Sequence, residues 1–245
     1  MHLQRFDAID ALRGVALVWM IVFHFCFDLN YFGYLRGDFH NDSLWTWQRS
    51  CILSLFLFCA GLGQAVALQQ AQTWARFWRR WGQIALCALL VSIGSWIVFP
   101  RSFIHFGVLH GIAVMLILVR VTAPWSKWFW LLGALAIAAK FAAAAVLADT
   151  ALATKLNGSA LNWLGLITKK PITEDYVPVF PWIGVVWWGV AAGQLLIARE
   201  SSLLAWTPGR AGRQLAGLGR WSLTVYMVHQ PVLLGVLGLI GTARP

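Results

Sequence analysis

Apolar residues dominate this chain in long uninterrupted runs, and the polar positions fall mostly between them. Residues 14–35 form the first run, interrupted by Asp28. The others are 50–75 (entered from Trp45), 81–100, 102–119, 128–148 with Lys140 inside it, 176–198 and 221–243. A helix needs about 20 mainly apolar residues to cross a bilayer. None of the runs alternates polar and apolar positions as a half-buried strand would. The pattern therefore predicts an all-α transmembrane bundle of about seven spans, with residues 1–245 as a single transmembrane domain. The longest connection, 149–175, is too short for a separate domain and runs into "EDYVPVFPW", where two prolines break regular structure.

Composition agrees with a chain that lives in lipid. Hydrophobic residues make up 60% and charged residues 11%, against about 25% charged in soluble domains. The 16 Trp fit interfacial belts. A net charge of +10 could suggest nucleic acid. The cations sit in short connections between apolar runs, however, as the positive-inside rule produces, and nucleic acid is set aside as a partner. Cys26, Cys51, Cys59 and Cys87 lie in apolar runs without metal-type spacing and read as packed core, so no metal is expected. The opening "MHLQRFDAID" carries charges of both signs and no small-residue cleavage site, so the first span is expected to be retained.

Lys and Arg also set an expected orientation. With the N-terminus inside, the cytoplasmic side holds Arg5, Arg13, Arg76, Arg79, Arg80, Arg120, Lys127, Arg199, Arg210, Arg213 and Arg220. The outer side receives Arg36, Arg49, Arg101, Lys155, Lys169, Lys170 and Arg244. That imbalance favours N-terminus in and, after seven spans, C-terminus out.

Ionisable residues inside a span are costly, and they are functional candidates by default. In the first span Arg13 and His24 are eleven residues apart. On a helix that is three turns plus about 20°, so both face one side, about 16 Å apart along the axis. Asp10 precedes Arg13 by three residues and can pair with it; Asp28 follows His24 by four and can reach its imidazole. A histidine oriented by a carboxylate is a common general base. A plainer reading has Asp10, Arg13 and Asp28 marking helix ends, with His24 bonding to another helix. By depth, His110 and His229 (with Gln230) reach the level of His24, and the three histidines could line one cavity under the loop carrying Asp175 and Tyr176. His105 and Lys140 read as residues that reach the interface. Arg76, Arg79 and Arg80, and further along Arg210, Arg213 and Arg220, form cytoplasmic clusters suited to phosphates, though the orientation rule yields such clusters anyway.

Four stretches carry a family resemblance: "RFDAIDALRGVALVWMIVFHFCFDL", "FIHFGVLHGIAV", "DYVPVFPWIGVVWWGVAAG" and "GRWSLTVYMVHQPVLL". In this order, over nearly the whole chain, they resemble the bacterial branch of the heparan-α-glucosaminide N-acetyltransferase catalytic-domain family. The Arg13-to-His24 spacing and the Arg76/Arg79 pair are also similar to those of membrane proteins that O-acetylate bacterial glycans. The resemblance implies a transferase of the bacterial inner membrane, taking acetyl-CoA from the cytosol and delivering acetyl to an amino or hydroxyl group of a sugar or glycan outside. It implies that Arg13, Arg76, Arg79 and Arg80 hold the CoA phosphates, and that His24, backed by Asp28, takes the acceptor's proton or the acetyl group itself. His110, Asp175, Tyr176, His229 and Gln230 would face the acceptor. In lysosomal members the position resembling His24 is an Asn and the proposed catalytic His lies in the next loop, where this chain has His40, a rival to His24. The sequence leaves the oligomeric state open. Two other functions remain compatible with intramembrane histidines: a haem-binding electron carrier and a proton-coupled transporter.

Overall fold

In the computed structural model, which describes residues 5–39 and 41–242, every regular element among those residues is helical. His40 and Arg244 lie outside the described residues. The order is α1 (Asp7–Tyr31), α2 (Ser43–Gln69), α3 (Trp74–Val98), α4 (Val108–Thr122), α5 (Phe129–Val146), α6 (Ala151–Asn157), α7 (Val179–Ala198), α8 (Arg210–Arg220) and α9 (Ser222–Thr242). Short 3-10 segments cover Ala123–Trp128 and Asn162–Leu164.

Six stretches are long and apolar enough to cross a membrane, and the longest, Val108–Val146, has 39 residues. That stretch is broken by the 3-10 segment, which has Pro near its start and a non-helical Trp125. The chain turns back there. Gly111 on α4 packs against Val177, and Thr122 at its end accepts from Trp187 Nε1 at 3.2 Å, so α4 runs with α7. Phe129 then stacks on Trp187, and Gly133 meets Gly184, so α5 runs against α7. Counted as two passes, α4 and α5 give the seven spans expected.

The chain divides into two compact units, with the boundary inside α2. The first, Leu57–Glu200, is built around α7, whose Ile183, Val186 and Val190 are fully buried. Glycines let neighbouring backbones approach it: Gly184 faces Gly133 of α5, while Gly189 and Gly193 face Phe58, Leu62 and Ala65 of α2. Small residues at such contacts are how helices pack without a hydrophobic drive in lipid.

The second unit holds Arg5–Phe56 and the segment from Ser201 onward. Here α8, read from the sequence as a loop, is a helix lying antiparallel along the start of α1. Gly14 packs on the Leu215 carbonyl and Gly219 on the Asp10 carbonyl. Helix α1 begins at Asp7, ahead of the apolar run, because α8 covers its first turns and because acids there suit the helix N-terminus. Further along α1, Phe23 and Phe27 pack edge-on to Phe39, which stacks on Trp45 at 4.0 Å. Trp19 Nε1 donates to Gln48 Oε1 at 3.3 Å.

Candidate active site

In the second unit α1 and α9 bring together four of the residues singled out from sequence. The rings of His24 and His229 lie 5.1 Å apart, centroid to centroid. His229 Nδ1 lies 2.6 Å from the Tyr226 carbonyl oxygen. A carbonyl can only accept, so Nδ1 carries the proton and Nε2 keeps a bare lone pair. That Nε2 is buried and has no hydrogen-bond partner. His24 packs its ring at right angles to Phe23 and makes no hydrogen bond among the described residues. The result is two imidazoles in apolar surroundings, one fixed in its tautomer with an unused base.

The Asp28 carboxyl, 1% exposed, meets a different partner from the one its spacing suggests. Its Oδ1 accepts from Gln230 Nε2 at 2.8 Å, and no hydrogen bond joins it to His24. Gln230, expected to face an acceptor, thus has its amide donor engaged across 202 residues of sequence.

At the other end of α1 lies a cluster of four charges. Arg13 Nη1 donates to Asp10 Oδ1 at 2.9 Å, Arg220 Nη2 to Asp7 Oδ1 at 2.5 Å, and Arg220 Nε stands 3.7 Å from Asp10 Oδ2. The i,i+3 pair was readable from spacing; Asp7 and Arg220 as its partners were not, because nothing local links residues 213 positions apart. Arg13 is therefore already balanced, although a guanidinium has five donors and keeps some for a ligand.

The remaining candidates belong to the first unit. His110 uses both ring nitrogens there. Ser92 Oγ gives its proton to the Ile104 carbonyl at 2.6 Å, so at 3.1 Å it accepts from His110 Nε2; His110 Nδ1 in turn accepts from the Gly107 N–H at 3.3 Å. Asp175 Oδ2 accepts from the Val108 N–H at 2.8 Å, a carboxylate at the N-terminus of α4. Tyr176 donates to the Asn162 carbonyl at 2.5 Å, and burial pushes its phenol well above the usual tyrosine range. Asp175 thus fastens the loop before α7 to the start of α4, His110 ties that start to α3, and Tyr176 ties the loop to Asn162; sequence reading missed these roles, as it missed Ser92 and Asn162. Arg76, Arg79 and Arg80 occupy the exposed first turns of α3, where Thr73 caps the helix and Arg80 donates to Gln83 at 3.0 Å. Among the described residues no group of three or more His, Cys, Asp or Glu could hold a metal ion.

Apolar helices long enough to cross a bilayer define a multi-pass membrane protein, and two of them, α1 and α9, set a pair of imidazoles side by side. The family model described as "Heparan-alpha-glucosaminide N-acetyltransferase, catalytic" matches residues 5–231, and the chain belongs to that family. It is thereby a membrane transferase. No curated protein and no solved structure matches the chain.

Proposed function

We propose that this protein transfers an acetyl group from cytosolic acetyl-CoA to an amino or hydroxyl group of a sugar or glycan on the outer side of a bacterial cytoplasmic membrane. The observation that carries this reading is the His24–His229 contact, with the free His229 Nε2, in a chain of this family.

Acyl transfer from a thioester to an amine or alcohol needs one proton removed from the nucleophile and one returned to the thiolate. In the simplest route the acceptor attacks the thioester carbonyl while a histidine of the pair takes its proton. The C–S bond then breaks, CoA leaves as thiolate, and the imidazolium returns the proton to sulfur. The products are an amide or ester and CoA thiol. The second imidazole can share the proton or donate to the developing oxyanion. In a second route His24 takes the acetyl group first and passes it on. With the N-terminus in the cytosol, the candidate guanidinium groups for the CoA phosphates are, each unit taken by itself, Arg13 in the second and Arg76, Arg79 and Arg80 in the first.

The test is transfer of labelled acetyl from acetyl-CoA by purified protein, across a panel of amino sugars and neutral sugars. His24→Ala and His229→Ala should each lower the rate by roughly 10²–10⁴-fold, the usual value of a positioned acid–base group. Full activity in both variants would remove the pair from the reaction. Label retained on protein when the acceptor is omitted, and lost in His24→Ala, would select the two-step route.

A further inference from the structure

Three buried oxygen atoms meet where α1 and α9 are joined. One is Asp28 Oδ1, which accepts from Gln230 Nε2 at 2.8 Å. The other two, Asp28 Oδ2 and Gln230 Oε1, are buried without any hydrogen-bond partner. Each is the second oxygen-bearing arm of a planar group whose first arm is already bonded to the other group. If Asp28 were a carboxylate, both atoms would be bare acceptors in an apolar span. No Lys or Arg among the described residues bonds to the carboxyl. Unpaired buried acceptors are rare and costly, and an uncompensated buried charge is costlier still.

A single proton removes both defects. We propose that Asp28 is protonated on Oδ2 and donates to Gln230 Oε1, closing a cyclic, uncharged acid–amide pair between α1 and α9. A carboxylic acid and a primary carboxamide can form such an eight-membered ring with two hydrogen bonds. Asp28 and Gln230 are then positioning residues. They clasp α1 to α9 one turn beyond His24 and directly beside His229, and they do so without a charge. The titratable groups on the two helices nearby, His24 and His229, have each other as ring partners, and Tyr226 packs on His229. A proton taken up by the histidine pair is therefore not stabilised by an aspartate anion and is free to move on.

The inference about how the pair serves the histidines rests on the acyl-transfer reading; the protonation state does not, and the two are tested separately. The infrared difference spectrum of wild type minus Asp28→Asn, taken at neutral pH on the full-length protein in membranes, should show the C=O stretch of a protonated carboxylic acid. That band should shift to higher frequency in Gln230→Leu, where the acid loses its partner. A carboxylate band in its place would overturn the proposal, and so would an acid band indifferent to Gln230→Leu. Should Asp28→Asn fail to fold, the wild type minus Gln230→Leu difference still reports the shift, and a spectrum without it overturns the proposal. Asparagine reproduces both hydrogen bonds of the ring, so acetyl transfer in Asp28→Asn should fall by no more than about tenfold, against the 10²–10⁴-fold loss expected on removing a histidine. A loss as large as that of His24→Ala in a folded Asp28→Asn protein would show that the charge itself matters and would overturn the positioning role.

Discussion

Helix α1 carries two buried aspartates, and the structure treats them in opposite ways. Asp10, 6% exposed, has a guanidinium on either side, Arg13 from its own helix and Arg220 from α8. Asp28, 1% exposed, has one amide. The first keeps its charge by pairing it near the end of the span, where Asp7 and Arg220 still reach water. The second lies beside a histidine pair and has no cation. A buried charge persists only where it is paired, so the same residue type serves as an ion at one end of the helix and as a neutral hydrogen-bonding group at the other. The ends differ in function accordingly: the ionic end joins the start of α1 to α8, and the neutral end presents His24 to His229.

The largest effect expected from separating the two ends is catalytic. His229→Ala should reduce transfer by roughly 10²–10⁴-fold, a loss far larger than its effect on stability, which is confined to the Nδ1 hydrogen bond to the Tyr226 carbonyl and the ring contacts with His24 and Tyr226 and costs about 1 kcal/mol. Asp10→Ala should show the reverse. Removing one member of a buried pair leaves its partners unsatisfied, and the loss is discounted because Arg220 is 44% exposed. The expected cost is roughly 1–3 kcal/mol, read as a lower midpoint of heat-induced unfolding in detergent. Should Asp10→Ala abolish transfer without any change in stability, the ionic end would belong to the site itself, with Arg13 as a donor-binding residue.

Next in size is the backbone contact that holds α8 in place. A Cβ on Gly14 would overlap the Leu215 carbonyl, which is main chain and cannot rotate away. Gly14→Ala should cost about 1–3 kcal/mol, as overpacked sites do, and should speed proteolysis within residues 210–220. Unaltered proteolysis and stability would mean that α8 is not held to α1 by this contact.

The comparison also shows what could be read from the chain alone. The spans were legible because twenty apolar residues in lipid have few alternatives to a helix. His24 and His229 were legible as candidates because an ionisable group in a span is expensive. The Asp28 partner was not. Spacing favoured His24, four residues away, over an amide 202 residues distant, and helical periodicity has no means of weighing a tertiary contact against a local one. Helix α8 was missed for a related reason. "RAGRQLAGLGR" is polar and glycine-rich, and its glycines make sense only once Gly219 and Leu215 are seen against the backbone of α1. A depth argument also says nothing of local partners: both ring nitrogens of His110 are engaged within the first unit, Nε2 with Ser92 of α3 and Nδ1 with the Gly107 N–H before α4.

The smallest effect concerns the outermost ion pair, and it separates surface from interior within one cluster. Asp7 and Arg220 are bonded at 2.5 Å, but their side chains are 37% and 44% exposed. Exposed pairs contribute about 0–1 kcal/mol and are screened by salt. Asp7 also lies in the first turn of α1, where a carboxylate gains a few tenths of a kcal/mol from the helix dipole. Asp7→Asn should therefore cost about 0.5 kcal/mol at low ionic strength, and the difference from wild type should vanish as salt is raised toward 1 M, where the Debye length falls to about 3 Å. The difference between wild type and Asp28→Ala should not respond to salt, because an uncharged pair buried between two helices has no ionic atmosphere to lose. If salt erased the Asp28→Ala difference as well, the carboxyl would be ionised and the contrast between the two ends of α1 would collapse.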